Sequence, residues 1–536
     1  MRLEALSTKA FTARTLLESR MLGPARPDKL VRSLIAINRW GPTPAAGYTA
    51  SAIRHPDAVS IIDELGTLTF DEVDRRTNAL AHALADDGVN EGDRVAIMCR
   101  NQRGFVEATV ACSKLGAHAL LLNTAFAAPQ LAEVCQREDP TAIVHDEEFS
   151  GLLHEAARGR RRYVAWTDGD ARDVPTLERL IASGDRSAVV PPVDKGRLII
   201  LTSGTTGSPK GARRRQPDSL EPIAGLLAKI PLRARERTLI AAPLFHSWGL
   251  AHLVIAAGLS STVVLRRRFD PEDTLRTIDE HGCTALVVVP VMLQRILELG
   301  RARIGRYDTA SLRVIAASGS ALPGALATEV MDTFGEVLYN LYGSTEVAWA
   351  TIATPADLRA APGTAGHPPR GTVVRLLGDD DEEVARGETG RIFVGSELAF
   401  EGYTGGGGKT VVDGLMASGD VGHLDAEGRL FVDGRDDEMI VSGGENVFPR
   451  EVEDLVALMD GVEEVAMVGV PDGEFGQRLR AFVVLADGAR LTEQDIRAHV
   501  KAHLARYKSP RDVVFLDELP RNATGKVLKR ELVARP

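Results

Sequence analysis

The sequence has few cysteines, few aromatic residues (5%) and no long apolar run, and each shortage argues against a class of protein. Four cysteines (Cys99, Cys112, Cys135 and Cys283) show no CxxC or Cys/His ligand spacing, which speaks against a disulfide scaffold or a zinc site. Because their surroundings are apolar, we expect reduced core residues in a cytoplasmic protein. The longest nearly uninterrupted apolar run, Cys283–Leu293, is too short to span a bilayer as a helix.

Positive charge is also in short supply. The formal net charge of −10 argues against a general nucleic-acid binder, which needs a basic face. An apolar fraction of 44% and a charged fraction of 26% are ordinary for a soluble protein, and 536 residues allow two to four domains.

The N-terminal segment lacks an apolar stretch followed by a small-residue cleavage site, so no signal peptide is predicted. A later stretch, "KLVRSLIAINRW", is amphipathic. Its apolar residues near one helical face are Leu30, Leu34, Ile37 and Trp40. Such a helix could contact a membrane surface. A helix packed on the main body is the favoured interpretation.

Strand-like and helix-like segments alternate through most of the chain, which predicts parallel, covered sheets. "RVAIMC" and "HALLLN" read as buried strands, and "FDEVDRRTNALAHALADDG" reads as an amphipathic helix. After about Thr364, short strands with glycine turns predict a smaller β-rich subdomain. The predicted fold is therefore α/β, with stacked α/β sheets, this β-rich subdomain and a separate small α+β domain in about the last hundred residues.

The stretch "LTSGTTGSPKG", Leu201–Gly211, has the composition of a phosphate cradle. Glycines let the backbone approach a ligand, hydroxyls donate hydrogen bonds, and Lys210 supplies charge. The residues around the lysine do not follow the Walker pattern G-x-x-x-x-G-K-[ST], so this is not a kinase-type loop.

This stretch resembles the phosphate loop of the adenylate-forming superfamily, which includes acyl-CoA synthetases, peptide-synthetase adenylation domains and luciferases. Six further segments match motifs of that superfamily in order: "SGSALP" (318–323), "LYGSTE" (341–346), "SGD" (418–420), "GRDDEMIVSGGENVFPREVE" (434–453), "RYKSP" (506–510) and "PRNATGKVLK" (520–529).

The resemblance implies a two-step reaction that uses ATP, Mg²⁺ and coenzyme A. A carboxylate attacks the α-phosphorus of ATP and releases pyrophosphate, and a thiol then displaces AMP from the acyl-adenylate. By resemblance, the β- and γ-phosphates are held by Thr202, Ser203, Gly204, Thr205, Thr206, Gly207 and Lys210. Thr345 is expected to bond the α-phosphate, and Glu346 is expected to ligate Mg²⁺.

The resemblance also assigns the adenosine site. Asp420 and Arg435 are expected to bind the ribose hydroxyls, and Tyr342 to stack on the adenine. The remaining residues of the nucleotide site are Ser318, Gly319, Ser320, Gly343 and Ser344. Lys526 matches the catalytic lysine that contacts the acyl carboxylate and the α-phosphate. By resemblance, residues 1–436 form the adenylation domain and residues 437–536 form a small, mobile domain. Asp437 is the expected hinge, whose rotation brings Gly443 and Gly444 to the pantetheine passage.

"PLFHSWGL" (243–250) resembles the segment that lines the acyl site, which makes His246 a candidate catalytic residue. Small residues at three expected pocket positions, Gly249, Ala317 and Ala348, favour a medium- or long-chain fatty acid. The predicted function is a fatty-acyl-CoA synthetase, an acid–thiol ligase. Two alternatives stay open: a fatty-acyl-AMP ligase that serves a carrier protein, and a non-catalytic adenylate-binding protein. The expected partners are the fatty acid, ATP and CoA, with no nucleic acid; the sequence leaves a monomer or homodimer open.

Overall fold

The structure is a computed structural model, and it describes residues 2–21, 23, 26–169, 174–202, 210–214, 219–398, 400–404, 406–436, 440–442, 445–472, 476–504, 508–522 and 525–535. Its helices are α1 (Arg2–Glu18), α2 (Pro27–Trp40), α3 (Pro44–Arg54), α4 (Phe70–Asp86), α5 (Arg103–Leu115), α6 (Ala128–Glu138), α7 (Leu177–Ser183), α8 (Glu221–Lys229), α9 (Ser247–Gly258), α10 (Pro271–His281), α11 (Pro290–Leu297), α12 (Arg301–Ile304), α13 (Gly324–Phe334), α14 (Pro355–Ala360), α15 (Pro449–Val456), α16 (Glu493–His503) and α17 (Lys529–Val533). A 3₁₀ helix spans Glu147–Leu153.

The strands fall into four sheets. They are β1 (Val59–Asp63), β2 (Gly66–Thr69), β3 (Arg94–Met98), β4 (His118–Leu121), β5 (Ala142–Asp146), β6 (Arg161–Trp166), β7 (Leu198–Thr202), β8 (Lys210–Arg214), β9 (Arg237–Ile240), β10 (Thr262–Leu265), β11 (Ala285–Val288), β12 (Val314–Ala317), β13 (Leu338–Ser344), β14 (Ala348–Ala353), β15 (Val373–Leu377), β16 (Gly390–Gly395), β17 (Phe400–Tyr403), β18 (Val411–Val412), β19 (Leu415–Leu424), β20 (Leu430–Arg435), β21 (Ile440–Ser442), β22 (Glu445–Val447), β23 (Val462–Asp472), β24 (Gly476–Leu485) and β25 (Asp512–Leu516).

The first sheet has seven strands in the order β17-β8-β7-β4-β3-β5-β6. Strands β7, β4, β3, β5 and β6 run parallel, and β8 and β17 extend one edge antiparallel. The strands expected from "RVAIMC" and "HALLLN" are β3 and β4. The expected amphipathic helix is α4, which begins at a capping box formed by Thr69 and Glu72.

The second sheet has eight strands in the order β14-β13-β12-β11-β9-β10-β1-β2, parallel except at its two edges. One apolar core joins the two sheets: it contains Val95 and Leu121 of the first, Val287 and Ile315 of the second, and Phe105 of α5. Because helices cover these parallel strands, the strands are apolar almost throughout. The carboxyl ends of β9, β11, β12 and β13 lie at the same edge, where sheets of this kind bind ligands.

The third sheet confirms the expected β-rich subdomain. Its order is β15-β16-β19-β18, with β20 also paired to β19. The antiparallel register of β19 and β20 sets Asp420 opposite Arg435, so two predicted ribose-binding residues are neighbours across strands.

The fourth sheet, β22-β21-β24-β23 with β25 beside β24, carries α15, α16 and α17 and has apolar clusters of its own. A large α/β part followed by a small α+β part is the predicted fold class. The boundary at residues 436/437 stays a prediction, and the hinge residue Asp437 lies outside the described residues.

All four cysteines are buried and free, as expected. No helix in the described ranges combines the length and apolar character needed to cross a bilayer. The favoured interpretation of α2 is confirmed. The helix packs on the main body through Ser33, Ala36 and Trp40. Three of the four predicted face residues, Leu30, Leu34 and Ile37, are exposed.

Candidate active site

A cavity of about 570 Å³ collects side chains from three of the sheets and from the small C-terminal part. Its lining contains twelve of the predicted site residues: Lys210, His246, Gly319, Ser320, Tyr342, Gly343, Ser344, Thr345, Glu346, Asp420, Arg435 and Lys526. Residues more than 300 positions apart therefore share one site.

The other predicted residues are placed differently. Ser318 is buried behind the lining and does not form part of it. Thr202 ends β7, where its backbone pairs with that of Lys210. Outside the described residues lie Ser203, Gly204, Thr205, Thr206, Gly207, Gly443 and Gly444.

Gly343 lies at an irregular step in the β13–β14 pairing. A Cβ at this position would overlap the carbonyl oxygen of Ala348, so only glycine fits. The chain then turns, and the Ser344 hydroxyl accepts a hydrogen bond from the Glu346 amide at 3.2 Å and donates to the Glu346 carboxylate at 3.0 Å. The Ser-Thr-Glu segment is thus a closed turn at the cavity wall.

A second hydroxyl fixes the Glu346 carboxylate. Tyr403 donates to its Oε1 at 2.9 Å, and the Lys210 ammonium lies 5.5 Å from the centroid of the Tyr403 ring. One fixed carboxylate in a cavity wall fits Mg²⁺, which takes one or two protein carboxylates and completes its shell with phosphate oxygens and water.

The ribose candidates form a half-buried polar cluster. Tyr342 donates its hydroxyl to Asp420 at 2.6 Å, and Arg435 donates to the other carboxylate oxygen at 3.4 Å. Burial raises the pKa of Asp420, and Tyr342, Arg435, Lys526 and Lys409 oppose that shift. The ionised carboxylate is therefore costly to hold in the absence of a ligand that donates hydrogen bonds to it.

Asn340 is a site residue that the sequence reasoning missed. It lies two positions before Tyr342 on β13, lines the cavity, and is only 8% exposed. Its Oδ1 is buried and has no hydrogen-bond partner among the described residues. A buried amide oxygen of this kind can accept a hydrogen bond from a base amine. The sequence signal that could have identified Asn340 was its position beside the Tyr-Gly motif on the same strand.

Lys409 was also missed, because the preceding glycine run suggested only a loop tip. Gly408 and Lys409 line the cavity, and the Lys409 ammonium is close to Gly419 and Asp420. The glycines therefore lead the chain to the site, where Lys409 adds to the positive charge of Lys210, Arg435 and Lys526.

His246 precedes α9 and lines the cavity, as predicted for an acyl-site residue. Burial lowers the pKa of His246 to about 4, so the imidazole is neutral at pH 7. Its buried Nε2 lacks a hydrogen-bond partner within the part of the chain that the structure describes. Next along α9, Trp248 donates its indole N–H to the Val288 carbonyl at 3.1 Å, which fixes the ring in the wall.

The small residues expected to make room for a long acyl chain have other roles. Ala317 and Ala348 are buried and do not line the cavity. Gly249 does line it, but a Cβ there would overlap the Pro243 carbonyl oxygen. Its small size is needed for the close approach of α9 to the preceding loop.

Lys526 reaches the cavity from a tight turn of the C-terminal part. Asn522 closes this turn through its side-chain oxygen, which accepts from the Lys526 amide at 2.9 Å, and Arg521 donates to the Gly525 carbonyl at 2.6 Å. Gly525 has φ +77°, and a Cβ there would overlap Cγ1 of Val291 on α11. The turn that carries the lysine is thus pressed against the larger part of the protein.

Comparison with known proteins agrees with this geometry. Residues 48–404 match the family model for the AMP-binding enzyme, and residues 451–526 match its C-terminal domain. The chain belongs to the AMP-binding enzyme family. Like its relatives in this family, it is an ATP-dependent enzyme that acts through an acyl-adenylate. The acid–CoA ligases of this family use ATP and CoA as co-substrates and require Mg²⁺.

Three relatives of this AMP-binding enzyme are named for different acids. A feruloyl-CoA synthase of Amycolatopsis sp is 34% identical over 91% of this chain and 96% of its own. An indoleacetate–CoA ligase of Aromatoleum aromaticum is 34% identical over 90% and 95%. The structure of o-succinylbenzoate CoA synthetase from Bacillus subtilis with its acyl-adenylate superposes with TM-score 0.80, at 27% identity over 91% and 98%.

We expect Gly525→Ala to lower the adenylation rate of this AMP-binding enzyme about 10- to 100-fold, because the new methyl group pushes the Lys526 turn away from Val291. The measurement is acid-dependent pyrophosphate release. Gly488→Ala is the matched control: it has a similar φ of +80° in the same part of the chain, but nothing lies within 4 Å of its Cβ. Adding Val291→Ala should restore part of the rate. Equal losses in Gly525→Ala and Gly488→Ala would contradict the steric explanation.

We expect Asp420→Asn to raise the KM for ATP about 10- to 100-fold, since a hydrogen bond to a charged group is worth more than one to a neutral amide. The melting temperature at pH 7–8 should not fall. Burial raises the pKa of Asp420, so removing the charge removes a cost that is present above that pKa. Asp433→Asn, which alters a carboxylate bound to His423 away from the cavity, is the control. A destabilised Asp420→Asn with normal KM would overturn the assignment.

Proposed function

We propose that the protein is an acid–CoA ligase for a compact aryl acid. The observation that carries the proposal is the convergence of Lys526, Glu346 and Asp420 on one cavity whose wall also contains the rings of Trp248 and His246. The first three suit activation of a carboxylate by ATP, and the rings suit a flat acid.

The acid end of the cavity is apolar and fixed. The Trp248 indole is anchored to the Val288 carbonyl and packs edge-on against His252, with 4.2 Å between ring centroids. The neutral imidazole of His246 and the apolar side chains of Val289 and Leu322 are also in the lining. A planar ring can pack against such faces with little loss of conformational entropy. The relatives named for feruloyl, indoleacetate and succinylbenzoate substrates support the same substrate class.

In the first half-reaction, a carboxylate oxygen of the acid bonds to the α-phosphorus, and the bond from that phosphorus to pyrophosphate breaks. Two anions must meet, so positive charge near the reacting atoms is the main requirement. We assign Lys526 to the carboxylate and α-phosphate, Lys210 to the outer phosphates, and Asp420 with Arg435 to the ribose. Thr345 is assigned to the α-phosphate.

Mg²⁺ would be held by Glu346 and would supply charge neutralisation on the phosphate oxygens. The chain's own contribution is to fix that carboxylate through Ser344 and Tyr403. In the second half-reaction, the thiol sulfur of CoA bonds to the acyl carbon and AMP leaves with the electron pair of the cleaved C–O bond.

A medium- or long-chain fatty acid, the substrate expected from the sequence, is the second candidate. The apolar lining by Val289 and Leu322 suits an alkyl chain as well as a ring. A carrier protein in place of CoA is a further alternative. The non-catalytic adenylate binder that the sequence left open is set aside, because the family match is to enzymes and Lys210, Glu346 and Lys526 share one cavity.

The test is AMP release from ATP and Mg²⁺ with hydroxycinnamates, arylacetates, benzoates and fatty acids of increasing length, with and without CoA. We expect CoA-stimulated turnover with the highest kcat/KM for one aryl class. A higher kcat/KM for a fatty acid would select the second candidate. A single equivalent of pyrophosphate whether or not CoA is present would indicate another acceptor, and the absence of acid-dependent turnover would refute the proposed substrate class.

Lys526→Ala separates the two half-reactions. We expect it to slow adenylation about 10²- to 10³-fold, the usual cost of losing one donor to a transition state. Thioester formation from preformed acyl-adenylate should change little. Lys501→Ala, an exposed lysine on α16, is the matched control and should change neither rate. Equal loss in both half-reactions would refute the role assigned to Lys526.

A further inference from the structure

Helix α2 has two apolar sides, and only one of them is covered. Ser33, Ala36 and Trp40 face the body of the protein and pack with α3. The opposite side carries an apolar strip formed by Leu30, Val31, Leu34, Ile35 and Ile37, which are 41%, 55%, 58%, 52% and 43% exposed. A helix on a protein surface ordinarily turns charged or polar residues outward.

The strip is the main concentration of exposed large aliphatic residues in the described ranges. Two more, Val190 and Val193, are 79% and 89% exposed. They follow Val189, which packs against the cluster containing Ala36 and Trp40. Apolar exposure is therefore concentrated around one helix, and such concentrations mark interaction sites.

The charge of this region is opposite to that of the rest of the chain. Residues 1–40 contain eight Lys or Arg and three Asp or Glu, whereas the remaining residues contain 56 and 71. On α2, Arg32 and Arg39 are seven residues apart and lie along one edge of the apolar strip. Both are exposed, and neither forms an ion pair with any residue in the described ranges. The only acidic residue of the helix, Asp28, is paired with Arg26.

The area of the strip decides between two kinds of partner. Five aliphatic side chains that are about half exposed offer on the order of 400 Å² of apolar surface, against roughly 800 Å² that each partner buries in a stable protein interface. A bilayer needs no complementary shape. A helix with an apolar outer side and arginines at its edge lies in the plane of an anionic membrane surface.

We propose that α2 docks the protein on anionic lipid bilayers, with the apolar strip (Leu30, Val31, Leu34, Ile35 and Ile37) among the acyl chains and Arg32 and Arg39 on the lipid phosphates. The family match begins at residue 48, so this surface lies outside the segment shared with the AMP-binding enzyme model. The helix rests on the surface and does not span the bilayer.

The test is cosedimentation of the full chain with vesicles of phosphatidylcholine, with and without phosphatidylglycerol. We expect binding to the anionic vesicles only, weakened by salt. Leu34→Glu with Ile35→Glu should lower the bound fraction about tenfold, and Arg32→Glu with Arg39→Glu should do the same. The matched controls are Leu458→Glu, an exposed leucine of the C-terminal part, and Arg301→Glu, an exposed arginine of α12.

Acid-dependent pyrophosphate release should be unchanged in these variants without vesicles, which confirms that they fold. Vesicle binding does not depend on which acid is activated. It can therefore fail while the proposed function holds, and it can succeed while the proposed function fails. The proposal is overturned if the wild-type protein does not bind anionic vesicles, or if the α2 variants bind as well as the controls. It is also overturned if the protein binds no vesicles and instead forms a dimer that Leu34→Glu dissociates. A second copy of the chain would then cover the strip.

Discussion

The contact between Gly525 and Val291 determines whether the active site is complete. Every other described residue of the cavity except Arg450 and Asn522 comes from the larger α/β part or the β-rich sheet, whereas Lys526 belongs to the small C-terminal part. Its ammonium reaches the cavity only because a glycine with positive φ lets the turn lie against α11 without a side chain between them. This close approach is one of the contacts between two parts of the chain that have separate apolar cores.

The electrostatics of the cavity follow from that closure. Lys526 and Lys409 are among the groups that stabilise the ionised form of Asp420, yet burial still raises the pKa of this carboxyl. The charges of the cavity therefore suit a ligand that brings both hydroxyl donors and negative phosphates. In the proposed assignment, ligand hydroxyls would bond to Asp420 and phosphates would pair with the lysines, which would account for cations and a carboxylate in one cavity.

The sequence predicted the parts of the site that lie in contiguous motifs. Tyr342 to Glu346 and the pair Asp420 and Arg435 were predicted because they lie in segments that resemble motifs of the adenylate-forming superfamily, and the structure brings them to one cavity. Asn340, Lys409 and Trp248 were not assigned roles, since their approach to the cavity depends on where separate sheets meet. Gly249 was misinterpreted for the same reason: a single sequence does not show whether a small residue makes room for a ligand or for a backbone oxygen. The α/β fold was predictable from strand–helix alternation, whereas an outward apolar side of α2 was only the less favoured of two interpretations.

The helix α2 is linked to the cavity by packing. It packs on α3, and α3 packs on α9, where a Cβ at Gly47 would come within 3.0 Å of Ala257. The first residues of α9 are Ser247 and Trp248, which line the cavity. Close-packed helices resist smooth deformation and tend to move as rigid bodies. The three helices therefore form one packed unit that joins the outward apolar side of α2 to the part of the cavity wall formed by Ser247 and Trp248.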